Sequence, residues 1–426
     1  MKTRIYVVFF LLLCFLLPNS KVHAEQNLQS TIQQAKPGDV IQLKGKTYKG
    51  PITISKPITL VGQKNTVIQS NGKRPTISLK GNSIQLKQLT VQQLSKDPKI
   101  PAISVKGNSH LIEGVTVHTK SLGIDMENVH RSKIARVTIK GSGKENGIIV
   151  SKSSENIIQD SFISRMLDAI YIENSDHNRF LRNTLENSRY GFHLMFSKNL
   201  TIKENKSEKN YIGAMIMETA KSTIENNTFS YNAQNVNSYG LQLFDTTYTK
   251  VAHNDFSHNR IGMKVEKSEY NQVFQNTALS NFIGIQFYKA HSNTVTKNTF
   301  VGNVNDIQAV NSKENDVNKN YWDGAWKLDI RNSGVSMIPY KADPFFLSLT
   351  EEVPEYQIFF QSPGMILLQK MLKSPDQLVL SDHAPLMTTK LNESKNTSAS
   401  PKGVWIVSIA MITISFSLIT LGRKSI

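Results

Sequence analysis

Apolar and polar residues along this chain alternate with a period of two, in short bursts that recur about every 22 residues. Most bursts open on glycine: Gly147-Ile-Ile-Val, Gly191-Phe-His-Leu, Gly213-Ala-Met-Ile, Gly240-Leu-Gln-Leu, Gly262-Met-Lys-Val and Gly284-Ile-Gln-Phe, with Ala169-Ile-Tyr-Ile and Asp306-Ile-Gln-Ala in the same series. From Gly147 the steps are 22, 22, 22, 27, 22, 22 and 22. The period of two predicts strands, and the constant step predicts that each repeat stacks on the one before.

An asparagine column keeps the same register: Asn183, Asn205, Asn227, Asn254, Asn276, Asn298 and Asn320. It shares the 27-residue step, so one insertion near Ala233 to Ser238 accounts for both columns. A further column is read as Asn210, Asn237, Asn259, Asn281 and Asn303. Asparagine tolerates the left-handed conformation of sharp turns, and stacked asparagines can hydrogen-bond from turn to turn. Both columns are therefore expected to be structural. Propeller blades need roughly 40 residues and leucine-rich repeats another consensus. The expected fold is all-β, a right-handed parallel β-helix domain over 25–325 with about eleven coils across 35–325, opened by a short helix near Leu28 to Ala35 that shields the first edge.

Two longer apolar runs flank this body. Lys2 and Arg4 precede the run Ile5 to Leu17, and Val22-His23-Ala24 follows it, so 1–24 is expected to be a secretory signal peptide. Gly403 to Leu421 is uncharged, is followed by Arg423 and Lys424, and is expected to be a transmembrane helix with the tail 422–426 in the cytoplasm. Between body and span, 326–372 reads as an extension and 373–402 as a polar linker. The body would then be exported and displayed outside the cell membrane on a single C-terminal span.

The one cysteine, Cys14, falls in the signal segment, which excludes disulfides and thiolate chemistry in the mature chain. Without Lys2, Arg4 and Lys21 the chain keeps 47 Lys and Arg against 33 Asp and Glu, a net +14. Export makes nucleic acid an improbable partner for that charge, and a soluble protein in an anionic envelope is the plainer reading.

In each glycine-led strand the first and third residues after glycine are expected to face inward, the second and fourth outward. The outward positions then place His193, Met195, Met215 and Met217 in a square on neighbouring coils, with Phe244 and Tyr288 farther along the same face. An imidazole among thioethers suits Cu(I), held transiently. The same side chains also suit an apolar surface that anchors a partner, with Phe244 and Tyr288 in contact with it, and geometry alone favours that reading.

Many β-helix proteins act on acidic polysaccharides, a chemistry that needs clustered carboxylates. The outward acids here, Glu173 and Glu266, lie four coils apart, roughly 19 Å at the strand spacing. Asp168, Asp176 and Asp255 are expected to be isolated and solvated. No catalytic residues are assigned, and the chain is expected not to be an enzyme. The alternative is a polysaccharide lyase, hydrolase or epimerase, or a carbohydrate-binding surface protein.

Arg189-Tyr-Gly-Phe-His-Leu-Met-Phe-Ser, Asn320-Tyr-Trp-Asp-Gly, Leu328-Asp, Ile338-Pro-Tyr, Pro354 and Ser362-Pro together resemble the NosD family over roughly 35–372. The resemblance implies an accessory protein in maturation of the copper–sulfur centre of nitrous oxide reductase. It implies as partners an ABC transporter of NosF and NosY, the reductase itself, and the copper chaperone NosL. His193 and Met195 match the family strand; Met215 and Met217 enter only through the column argument. The chain departs from the family at Ser336-Met337-Ile338, where relatives have a Gly-Asp pair before Pro-Tyr.

Overall fold

The structure, a computed structural model, describes residues 21–23, 27–342 and 379–389, with isolated positions from 356 to 367 and at 411 and 413. Three parallel sheets of 14, 13 and 12 strands, here sheets 1, 2 and 3, run the length of the body. The chain visits them in turn and makes about 13 right-handed turns, rather than eleven. The early turns, built on strands such as Ile52–Ile54 and Thr59–Val61, lack the glycine and asparagine columns from which turns are counted in the sequence. Inward residues such as Phe192, Leu194, Ile216 and Leu243 are fully buried in one continuous core from Leu28 to Ala342.

The glycine column is explained by closeness rather than by backbone conformation. A Cβ on Gly213 would lie 2.4 Å from the carbonyl oxygen of Gly240 and 2.9 Å from Asn232 Nδ2. Glycine at this position lets the consecutive turns approach closely.

The asparagine column Asn183 to Asn320 is buried. Each side-chain Nδ2 donates to the next Oδ1 at 2.9–3.0 Å. That same Oδ1 accepts the backbone N–H of the asparagine one turn earlier at 2.9 Å. These asparagines are not themselves left-handed. The left-handed residue is the one before each: Arg182, Glu204, Asn226, His253, Gln275, Lys297 and Lys319 have φ of +53° to +58°. Asparagine is needed here for its amide, which satisfies buried backbone groups at every turn.

The other column needs a correction. Its member is Asn232, not Asn237: Asn210 N donates to Asn232 Oδ1 at 2.8 Å, and Asn232 Nδ2 to Asn259 Oδ1 at 3.0 Å. Asn237 lies in the exposed insertion, its backbone N–H donating to Asn235 Oδ1. The insertion follows the column residue, so counting back from the next glycine selects the wrong asparagine.

Both ends are sealed. The helix α1 (Leu28–Gln34) is capped by Asn27, whose Oδ1 accepts from Gln29 N and Ser30 N, and it buries Leu28 and Ile32. Gln29 then completes the edge strand of sheet 3, donating to Thr53 O at 3.1 Å and accepting from Thr53 N at 2.7 Å. At the other end Trp322 is buried between Phe300 and Tyr340, with ring centroids 4.3 and 4.5 Å away. Residues 379–389, inside the expected polar linker, belong to this cap: Leu380–Asp382 pairs antiparallel with Tyr340–Ala342.

Most of the expected signal peptide and the expected span 403–421 lie outside the described residues. Lys21–His23, within the former, pairs with Val40–Gln42 at the open edge of sheet 1. Among the described residues no helix is long and apolar enough to cross a membrane.

Candidate functional site

Sheet 3 is the broad face of the body. In its later turns its strands run six residues, against three in sheets 1 and 2. Strands Asp168–Glu173, Tyr190–Met195, Ile212–Met217 and Tyr239–Phe244 lie side by side in register. His193 pairs with Met215 and Met195 with Met217, so the four residues of the square do lie on adjacent strands. Tyr171 and Glu173 precede them, and Gln242 and Phe244 follow.

The square is less open than alternation alone suggests. His193, Met195 and Met217 are half-buried, but Met215 is only 8% exposed. It belongs to a second apolar cluster, outside the solenoid, with Ile212, Tyr239, Ile261 and Ile283. Tyr190, Tyr211, Met217, Phe244 and Phe282 pack around that cluster. The alternation breaks at the glycine of these strands, so the residue before it also faces outward, and Ile212 and Tyr239 join Met215 in one buried cluster. This apolar column at Ile212, Tyr239, Ile261 and Ile283 is visible in the sequence but is not read there as part of the face.

At one end of the cluster lies a polar group that the sequence reading misses. Asp168 is 1% exposed, not solvated and isolated. Arg189 Nε donates to its Oδ1 at 2.9 Å and Arg189 Nη2 to its Oδ2 at 2.8 Å. His193 Nδ1 lies 2.8 Å from Asp168 Oδ2. The rings of Tyr171 and Tyr190 stand nearly perpendicular to the imidazole with centroids 5.2 and 4.9 Å away, and the Arg189 guanidinium covers Tyr190 at 4.5 Å. Burial pushes both phenols up, with Glu173 and Asp168 adding to the effect at Tyr171. Asp255 is half-buried, and burial raises its carboxyl; Asp176 accepts Lys198 N at 2.7 Å.

The two outward glutamates are engaged locally. Tyr171 Oη donates to Glu173 Oε2 at 3.3 Å, while Glu266 pairs with Lys264 at 2.8 Å and accepts from Gln242 at 3.0 Å. Tyr288 and Phe244 stand on either side of Glu266 in the same column, each with a lysine ammonium about 5 Å from its ring. In the cap, Ser336 is buried and its Oγ accepts from Leu328 N and Ile338 N, so the divergent Ser-Met-Ile element still closes a turn.

Among the described residues no three His, Cys, Asp or Glu side chains gather to hold a metal. The donor set available on sheet 3 is instead one imidazole with thioethers, which favours a soft monovalent cation over a hard divalent one. Fold and face together define a right-handed parallel β-helix whose broad sheet carries an imidazole–thioether patch beside an aromatic, apolar strip.

The family described as periplasmic copper-binding protein (NosD) matches residues 42–187 and 137–332, together more than half of the chain. The chain belongs to the NosD family. That description places the family outside the cytoplasm and supports a copper-related accessory role. No curated protein matches the sequence. Solved structures share the fold at low identity. The periplasmic alginate epimerase AlgG is 13% identical, with 71% of this chain and 83% of that chain covered and a TM-score of 0.51. The Yersinia enterocolitica family 28 exopolygalacturonase is 12% identical, with 68% and 74% covered and a TM-score of 0.53.

Proposed function

We propose that this protein is a non-enzymatic, extracytoplasmic accessory factor that helps mature the copper–sulfur centre of nitrous oxide reductase, with Cu(I) as transient cargo at the His193, Met195 and Met217 patch of sheet 3. The observation that carries the reading is the register of Tyr190–Met195 against Ile212–Met217, in a chain of a copper-binding family. Thioethers bind Cu(I) without losing a proton, and a half-buried patch suits passing an ion on rather than storing it. Buried Met215 serves the patch as packing. The apolar strip, with Phe244 and Tyr288, is the proposed anchor for the reductase or for NosL, and NosF and NosY are the proposed transporter partners. Export on a C-terminal span at 403–421 is part of the same proposal.

The double variant Met195→Leu/Met217→Leu keeps apolar area and removes two thioethers. In a strain lacking the native gene, it is expected to lower the copper content and activity of the reductase while still binding its partners. Full maturation by the variant would refute the copper reading and leave docking alone.

A second reading draws on the Asp168, His193, Arg189 and Tyr190 group. A histidine backed by a carboxylate, beside a guanidinium that could neutralise a uronate, has the parts for proton abstraction from an acidic sugar. Turnover of alginate or polygalacturonate that is lost in His193→Ala would favour it.

A further inference from the structure

We infer that Asp168 and Arg189 are positioning residues for His193: they hold its imidazole as the Nδ1–H tautomer and leave Nε2 as the one nitrogen the face can offer to Cu(I). The inference rests on the copper reading above and extends it from the square to a pair of residues outside it.

The geometry supplies each step. Asp168 opens the strand Asp168–Glu173, 25 residues before His193, and the turn-to-turn stacking brings the two side chains to 2.8 Å. A carboxylate accepts and does not donate, so Nδ1 must carry the hydrogen. The carboxylate cannot turn away, because Arg189 grips both of its oxygens. Tyr171 and Tyr190 pack against the imidazole from two neighbouring positions, nearly perpendicular to it, and restrict its rotation. Among the described residues His193 Nε2 has no hydrogen-bond partner, and the side chain is 14% exposed. Metal-ligating histidines use this arrangement widely: the second nitrogen donates to a carboxylate, which fixes the ring and raises the basicity of the ligating one. Arg189 itself is 43% exposed on its side chain, so it stays solvated while clamping a carboxylate that is not.

Two substitutions at Asp168 break the clamp in different ways. In Asp168→Ala no acceptor remains, and His193 is free to take the Nε2–H form. In Asp168→Asn the amide NH2 meets an Arg189 N–H at one of the two oxygen places, donor against donor, so the two-point grip is lost and the imidazole is no longer held to one tautomer.

The test uses the full-length chain in detergent with 15N-labelled histidine, in mildly alkaline buffer. His193 is assigned by its absence in His193→Ala, and Cu(I) affinity is read by competition with bicinchoninate. Wild type should show the Nδ1–H imidazole pattern, Asp168→Ala should lose it, and Asp168→Asn should show a mixture of tautomers. Cu(I) affinity should fall about 10- to 100-fold in Asp168→Ala. Circular dichroism and a thermal melt confirm that each variant folds, and Arg189→Lys, which loses the two-point grip, should fall between wild type and Asp168→Ala. Finding the proton on Nε2 in wild type overturns the inference. So does a changed tautomer in Asp168→Ala with Cu(I) affinity intact. Equal Cu(I) affinity of wild type and His193→Ala would sink the copper reading itself and the inference with it. That failure is recognised because the tautomer spectra stay as expected.

Discussion

Two asparagines close together in the chain, Asn232 and Asn237, show how sharply one residue's worth depends on its neighbours. Asn232 is fully buried, accepts from Asn210 N, and donates to Asn259 Oδ1 and Ser207 O. Asn232→Ala leaves several buried backbone and amide groups unpaired and should cost on the order of 3 kcal/mol or more. Asn237→Ala, in the exposed insertion, should change stability by less than about 0.5 kcal/mol. Urea denaturation of the two variants checks the contrast; equal effects would return Asn237 to the column. Asp306 is a different case. It takes the glycine position in the last turn, is 7% exposed, and accepts from Asn303 Nδ2. Burial raises its carboxyl to about 7, and Lys327 nearby is lowered to about 8. A raised folded value means the neutral form is favoured in the fold. Its contribution is complete below the ordinary aspartate range and is lost as pH rises through about 7, at up to about 1.4 kcal/mol per pH unit. Asp306→Asn keeps the acceptor and removes the charge, so it should flatten that decline between about pH 4 and pH 7. Identical pH profiles for wild type and variant would refute the assignment.

At the scale of an element, the C-terminal cap shows how a stack is ended. Each asparagine of the long column needs an oxygen from the next turn, and Asn320 has no next turn. Asp382 supplies it: Asn320 N and Trp322 Nε1 each donate to Oδ2 at 2.9 Å, Asn320 Nδ2 at 3.2 Å, and Lys319 N and Ala384 N donate to Oδ1. Asp382→Ala should release 379–389 and loosen the last turn. Limited trypsin digestion should then cut first near Lys319 and Lys327, while the middle turns stay resistant, because a solenoid's turns contact only their neighbours. Uniform loss of resistance along the body would count against a local cap.

Across the whole molecule the charge is unevenly spread. Residues 27–110 hold 13 Lys and Arg against only Asp39 and Asp97, so most of the +17 belongs to the first turns of the helix. Long-range attraction to a polyanion follows that distribution and is screened by salt. Lys64, Lys73 and Lys80 are exposed there, and Lys198, Lys221 and Lys289 are exposed in later turns. Reversing the first three to glutamate should lower the salt needed to elute the protein from a phosphate resin more than reversing the second three. Equal shifts would mean that the net charge acts without regard to place.

The parallel stack, its step of 22 residues and the inward and outward faces of each strand are properties the sequence alone determines, because a repeat and a period of two are local and each turn copies its neighbour. That is enough to bring His193, Met195, Met215 and Met217 onto one patch. Only the tertiary structure decides that Met215 is covered, since the covering residue precedes a glycine where the alternation breaks. It also decides that Asp168 belongs with His193 and Arg189, and that Asp382 completes the column from more than sixty residues away. The partner of a buried polar side chain is set by contact between turns and by where an insertion or a cap departs from the repeat. Neither is encoded in the repeat itself.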